Sequence, residues 1–146
     1  MSTRDDVIAR VKPLLAAESA LRWAYLFGSC ARGQTPRDVD LAVMPRDGAY
    51  PSAVDWGVLI AGLEAVVGLP VDLVDLRSAS LPLAGTLLAD RVVLLDREKD
   101  ARHAWEADTT SRWIDFRPAY ERYSRVRQQA LTERLAREKL DAKRSG

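Results

Sequence analysis

The chain has 146 residues, a formal net charge of +1, 47% hydrophobic and 29% charged residues, which suits one folded domain with a modest core. No apolar run approaches the roughly 20 residues of a membrane span, and the polar, partly acidic start from Met1 to Asp6 does not read as a signal peptide, so a cytoplasmic protein is expected. With a single cysteine, Cys30, and a single histidine, His103, a disulfide framework is excluded and a zinc site is not expected.

In chain order, Thr3 and Asp6 resemble a capping box, and Val7, Val11, Leu14 and Leu15 fall at helical spacing, so a first helix is predicted over residues 3–17. Leu21, Trp23, Tyr25 and Phe27 alternate as in a strand that runs into Gly28-Ser29. Cys30-Ala31-Arg32 allows one helical turn before Gly33 stops it, and residues 34–37 form a loop. A second strand is predicted over Val39–Val43, ended by Pro45 and Asp47-Gly48. Ser52 can cap a helix holding Trp56, Leu59, Ile60, Leu63, Val66 and Val67, terminated by Gly68 and Pro70. The third strand, Val71–Leu76, is apolar on both parities, as expected of a central strand covered on both faces. A short helix over Leu81–Ala89 leads to a last strand, Val92–Leu95.

Beyond Asp96, Trp105, Trp113, Phe116, Tyr120, Tyr123, Leu131 and Leu135 recur at helical steps. Helices are expected there, with Pro118 starting the second or kinking the chain. The expected organisation is a core over residues 1–96 and a helical extension over 97–146, part of the same folding unit and available to a partner. Charge divides along the same line. Residues 1–96 carry nine Lys and Arg against twelve Asp and Glu, and residues 97–146 thirteen against nine. The basic tail is either a solvated helical face or an attraction for an acidic partner or RNA.

The chemistry concentrates at the first strand–turn–strand unit. Gly28 lets backbone approach a phosphate closely, and Ser29 with the following amides offers donors to an anion if a helix begins there. Asp38 and Asp40, two residues apart, point the same way along a strand, roughly 6–7 Å apart. That spacing suits two Mg²⁺ ions about 3.5–4 Å apart, which clamp the attacking and leaving oxygens of a phosphoryl displacement. A third carboxylate must come from the third strand. Asp72 and Asp75 face opposite sides, so at most one can join. Asp72, inside the strand, would be costly unless ligated, whereas Asp75, just before Arg77-Ser78, suits a turn. Asp72 is therefore chosen. Cys30 reads as a small buried residue, and His103 as a surface residue.

Phe27-Gly28-Ser29-Cys30-Ala31-Arg32-Gly33, then Asp38-Val39-Asp40-Leu41-Ala42-Val43, then Val71-Asp72-Leu73-Val74 resembles the minimal nucleotidyltransferases of the DNA polymerase β superfamily over residues 3–96. Trp113-Ile114-Asp115-Phe116-Arg117-Pro118 is similar to the C-terminal region of those that act as antitoxins to HEPN-domain ribonuclease toxins. The chain departs from the pattern in a slightly shorter Ser29–Asp38 segment and in Arg37, where members often carry serine. The resemblance implies an α/β, polymerase β-like fold with a small mixed sheet flanked by helices. It also implies an enzyme that uses ATP and Mg²⁺ to attach AMP to a tyrosine of a cognate HEPN toxin. By position, Gly28, Ser29 and Arg32 would hold the nucleotide, and Asp38, Asp40 and Asp72 would be the catalytic metal ligands. A hetero-oligomer with the toxin is implied, with nucleic acid not expected as direct substrate and no membrane partner. Two alternatives stay open: an antitoxin that acts by binding alone, and a small-molecule nucleotidyltransferase of the aminoglycoside-modifying type.

Overall fold

The computed structural model describes residues 3–145; Met1, Ser2 and Gly146, the ends of the two expected segments, lie outside the described residues. Thr3 caps α1 (Arg4–Ala17) through a reciprocal box with Asp6, as the sequence predicts. β1 (Leu21–Phe27) leads directly into α2 (Gly28–Ala31), a single turn that starts two residues earlier than Cys30. β2 runs from Val39 to Pro45. Ser52 caps α3 (Ala53–Val67) through the Asp55 amide, and Gly68 ends it at φ +71°, a left-handed position that costs glycine nothing. β3 (Val71–Asp75), α4 (Leu81–Asp90) capped by Ser80, β4 (Val92–Asp96) and α5 (Lys99–Arg144) complete the chain.

The sheet order is β3-β2-β1-β4, with β1 antiparallel to both β2 and β4 and β3 parallel to β2. Strand parity divides the core into two layers. Ala24, Leu26, Leu41, Val43, Val71 and Leu73 face Val7, Val11 and Leu15 of α1 and Leu59, Leu63 and Val67 of α3. Trp23, Tyr25, Ala42 and Met44 face Leu87 and Leu88 of α4 and the root of α5, where Ala101 and Trp105 pack.

Three expectations are corrected. β3 is covered on both faces, Val71 and Leu73 on one and Val74 on the other, but it is an edge strand, not a central one. Apolar side chains on both parities report two layers of cover, and cover from helices does not require a strand on each side. Asp72 is consequently exposed, contrary to the expected burial, and its charge stays hydrated without a ligand. The third concerns the tail, which is one continuous helix of 46 residues that includes Pro118. Proline there removes a single N–H on a solvent-exposed stretch, where water can satisfy the freed carbonyl.

A buried ionic network roots α5. Glu106 accepts from Tyr25 Oη at 2.9 Å, from Arg91 Nη2 at 2.7 Å and from Arg102 Nη1 at 2.9 Å, and Arg102 also reaches Asp96 at 2.9 Å. Burial alone would raise the Glu106 pKa, but the bonds from Arg91, Tyr25 and Arg102 bring it below the usual glutamate value. Removing one member of such a cluster leaves uncompensated buried charge. Glu106→Gln is therefore expected to cost about 3 kcal/mol of stability at pH 7, measured by urea unfolding. Because the folded-state pKa is depressed, the contribution of Glu106 is complete above the unfolded value, about 4.3, and is lost as pH falls through the lower folded value. The gap between wild type and Glu106→Gln should accordingly narrow on acidification below that range.

Candidate active site

The site lies where β1 ends and β2 and β3 begin. Gly28 opens α2 at φ +74°, and the backbone there passes so close to β2 that a Cβ on Gly28 would overlap Oδ2 of Asp40 and stand 3.1 Å from its Cγ. The turn is therefore specified twice, by its left-handed backbone and by the carboxylate packed against it. Phe27, the residue before α2, gives its first turn no side-chain cap, which leaves the leading amides without a side-chain acceptor. Ser29 is half-buried beside them.

The register brings two of the three carboxylate positions together. Asp40 is the direct partner of Phe27 on one side and of Asp72 on the other, and adjacent strands are about 4.8 Å apart. Asp40 and Asp72 share strand parity with Ala42 and Val74, hence the face that α4 covers. β2 starts at Val39 as predicted, so Asp38 lies in the bend just before it and does not share the strand parity expected with Asp40, and it is exposed. Asp40 feels the charge of the other two. Burial holds the Asp40 pKa above the ordinary aspartate value, the negative charges of Asp38 and Asp72 raise it further, and Arg32 offsets part of the rise.

Among the described residues, no three His, Cys, Asp or Glu groups stand converged as a ready cation ligand set. Mutual repulsion opposes such convergence, and a divalent cation would reverse the sign of the interaction. Hard carboxylate oxygens from two neighbouring strands and the bend before one of them, with Asp40 half-buried and its pKa raised by burial and then by like charges, are the donor chemistry that Mg²⁺ takes.

Arg32, on the α2 side of the site, donates from Nη1 to Oδ2 of Asp90 at 2.7 Å. Reading the sequence alone misses Asp90 altogether, because its partner lies 58 residues away. The available signal is a carboxylate at the C-terminal end of a helix, where the helix dipole disfavours it. Asp75 takes the expected turn role, accepting from the Arg77 amide at 2.9 Å and pairing with its guanidinium. Cys30 is buried, with its pKa raised by burial, and no base is bonded to it. His103 is exposed.

A family model described as polymerase beta, nucleotidyltransferase, matches residues 9–100. The chain belongs to this family. A Methanocaldococcus jannaschii relative, provisionally named a protein adenylyltransferase, is 31% identical to this nucleotidyltransferase over 84 residues, which are 56% of this chain and 84% of the relative. A chain from a complex of tri-AMPylated Shewanella oneidensis HEPN toxin with MNT antitoxin superposes with a TM-score of 0.64 at 24% identity, covering 80% of this nucleotidyltransferase and 92% of that chain. At that identity the likeness speaks for the fold. A chain from a toxin–antitoxin structure with AMP-PNP has a TM-score of 0.63 at 26% identity, covering 81% and 92%.

The close approach at Gly28 gives a direct test. Gly28→Ala must both strain a left-handed residue and displace the Asp40 carboxylate. It is expected to lose about 1–2 kcal/mol of stability and to weaken nucleotide binding, as read by thermal denaturation and by titration calorimetry.

Proposed function

We propose that this nucleotidyltransferase is an antitoxin that transfers AMP from ATP to a tyrosine of a cognate HEPN ribonuclease toxin and so silences it. The observation that carries the reading is the juxtaposition of Asp40 with the Gly28 backbone, in the field of Asp38 and Asp72. The adenylyltransferase relative and the toxin–antitoxin structure with AMP-PNP support the choice of nucleotide and of a protein acceptor.

In this reading the phenolic oxygen of the acceptor tyrosine bonds to the α-phosphorus, and the bond from that phosphorus to the oxygen bridging the β-phosphate breaks. Pyrophosphate leaves and the phenolic proton is released. The protein's part is positioning and charge. Gly28 leaves the backbone open to the triphosphate, and the Ser29 hydroxyl and first-turn amides donate to its oxygens. Arg32, through Nε and Nη2, adds charge-assisted bonds. Asp38, Asp40 and Asp72 would hold magnesium, which when bound supplies charge neutralisation at the phosphates and acidification of the attacking hydroxyl. A reaction drawing on ATP belongs in the cytoplasm, and among the described residues no helix is long and apolar enough to cross a membrane.

The test is transfer of label from α-labelled ATP to the toxin. Asp38→Asn with Asp40→Asn is expected to reduce labelling by at least about 100-fold, the scale of losing electrostatic stabilisation at a transition state. The same variant should be no less thermally stable than the parent, because it relieves the like-charge crowding that raises the Asp40 pKa. A double variant that neutralises the toxin as well as the parent would instead establish an antitoxin acting by contact alone.

A further inference from the structure

The C-terminal end of α4 makes a contact that the reaction does not explain. Asp90 is the last residue of that helix, where a carboxylate faces the negative pole of the helix dipole. Its partner is Arg32, at the end of the single turn after Gly28. The pair is exposed, 47% for the Arg32 side chain and 31% for that of Asp90, so it adds little to folding stability.

The backbone that carries Asp90 is tied down. The next residue, Arg91, donates from Nη1 to the Leu88 carbonyl at 2.8 Å and from Nε and Nη2 to Glu106 at 2.9 and 2.7 Å. The end of α4 is thereby tied both to its own last turn and to the root of α5. Arg32 spends one nitrogen, Nη1, on Asp90. Its Nε and Nη2 make no hydrogen bond among the described residues, and its charge already acts on Asp40. A planar guanidinium gripped by one nitrogen has fewer orientations to lose when the others engage an anion.

We infer that Asp90 is a positioning residue for nucleotide binding, fixing the Arg32 guanidinium at the glycine turn so that Nε and Nη2 are presented to the triphosphate. The inference rests on the proposed role of Arg32 as a phosphate ligand. A disfavoured carboxylate at a helix end is the kind of local conflict expected where function, and not folding, sets the residue.

Calorimetric titration with Mg·ATP at fixed ionic strength tests it on the full chain. Arg32→Ala is expected to weaken binding by about tenfold or more, the scale of lost charge-assisted bonds. Asp90→Asn should weaken it by about three- to tenfold while shifting Tm by no more than about 2 °C, as for an exposed pair. Asp90→Glu should recover most of the loss. Combining Asp90→Asn with Arg32→Ala should bind no more weakly than Arg32→Ala alone, because the two residues act as one unit. Independent, additive losses, or an Asp90→Asn that binds like the parent while Arg32→Ala is impaired, would overturn the positioning role and leave the Arg32 reading standing. An Arg32→Ala that binds like the parent would remove both.

Discussion

Asp40 lies against the Cα of Gly28, with the carboxylates of Asp38 and Asp72 near enough to raise its pKa. Nearly everything else in the core of the fold serves to keep that crowded arrangement in place. It is intrinsically unfavourable, because a half-buried carboxylate surrounded by like charge loses hydration without gaining a partner. It persists because each contributor is fixed by something stronger. The Gly28 turn closes β1, Asp40 sits within a ladder paired on both sides, and two apolar layers clamp the strands that carry the site. A site that would bind divalent cations and a triphosphate gains from backbone fixed before the ligand arrives, and the paired strands supply this for Asp40 and Asp72.

The second organising element is the ionic network beneath α5. Tyr25 of β1, Arg91 after α4 and Arg102 of α5 converge on one carboxylate, Glu106. The network fixes the direction in which a 46-residue helix leaves the body, and through Arg91 it also fixes the end of α4 that carries Asp90. The distal part of α5 exposes Phe116, Tyr120, Tyr123, Val126, Leu131 and Leu135. Trp113 is the exception: it packs over Gly85 of α4 so closely that a Cβ there would overlap its ring. The apolar series at helical steps beyond Asp96 thus divides in space, with Trp105 and Trp113 in internal packing and the rest facing solvent.

Much of this was legible before any coordinates. The Thr3–Asp6 box, the Ser52 cap, the stop at Gly68 and the run of β1 into Gly28 all appear where local rules put them. Such features are set within a few residues by backbone hydrogen bonding and allowed φ/ψ, so a short window contains the cause. The side-chain parity that puts Asp40 with Ala42 and Asp72 with Val74 is legible for the same reason, since it follows from the pleat. Where the reading went astray, the deciding contact was remote. β3 has the composition of a central strand but lies at the edge, and Asp72 was chosen on a burial it does not have. Pro118 looked like a boundary, yet on an exposed stretch its lost hydrogen bond was not enough to break the helix.

The amino-acid order by itself determined most helix and strand ends up to Asp96, which residues of a strand share a face, and that two aspartates follow closely on a glycine turn. Those outcomes rest on short-range backbone preference and on periodicity. Only the tertiary structure decided that Asp72 stands opposite Asp40, that Arg32 is gripped by Asp90, and that Glu106 gathers Tyr25 and Arg91 from outside its own helix. Strand order and cross-element ion pairs depend on which apolar faces cover one another. That is settled by burial summed over segments far apart in sequence, and no local window contains it.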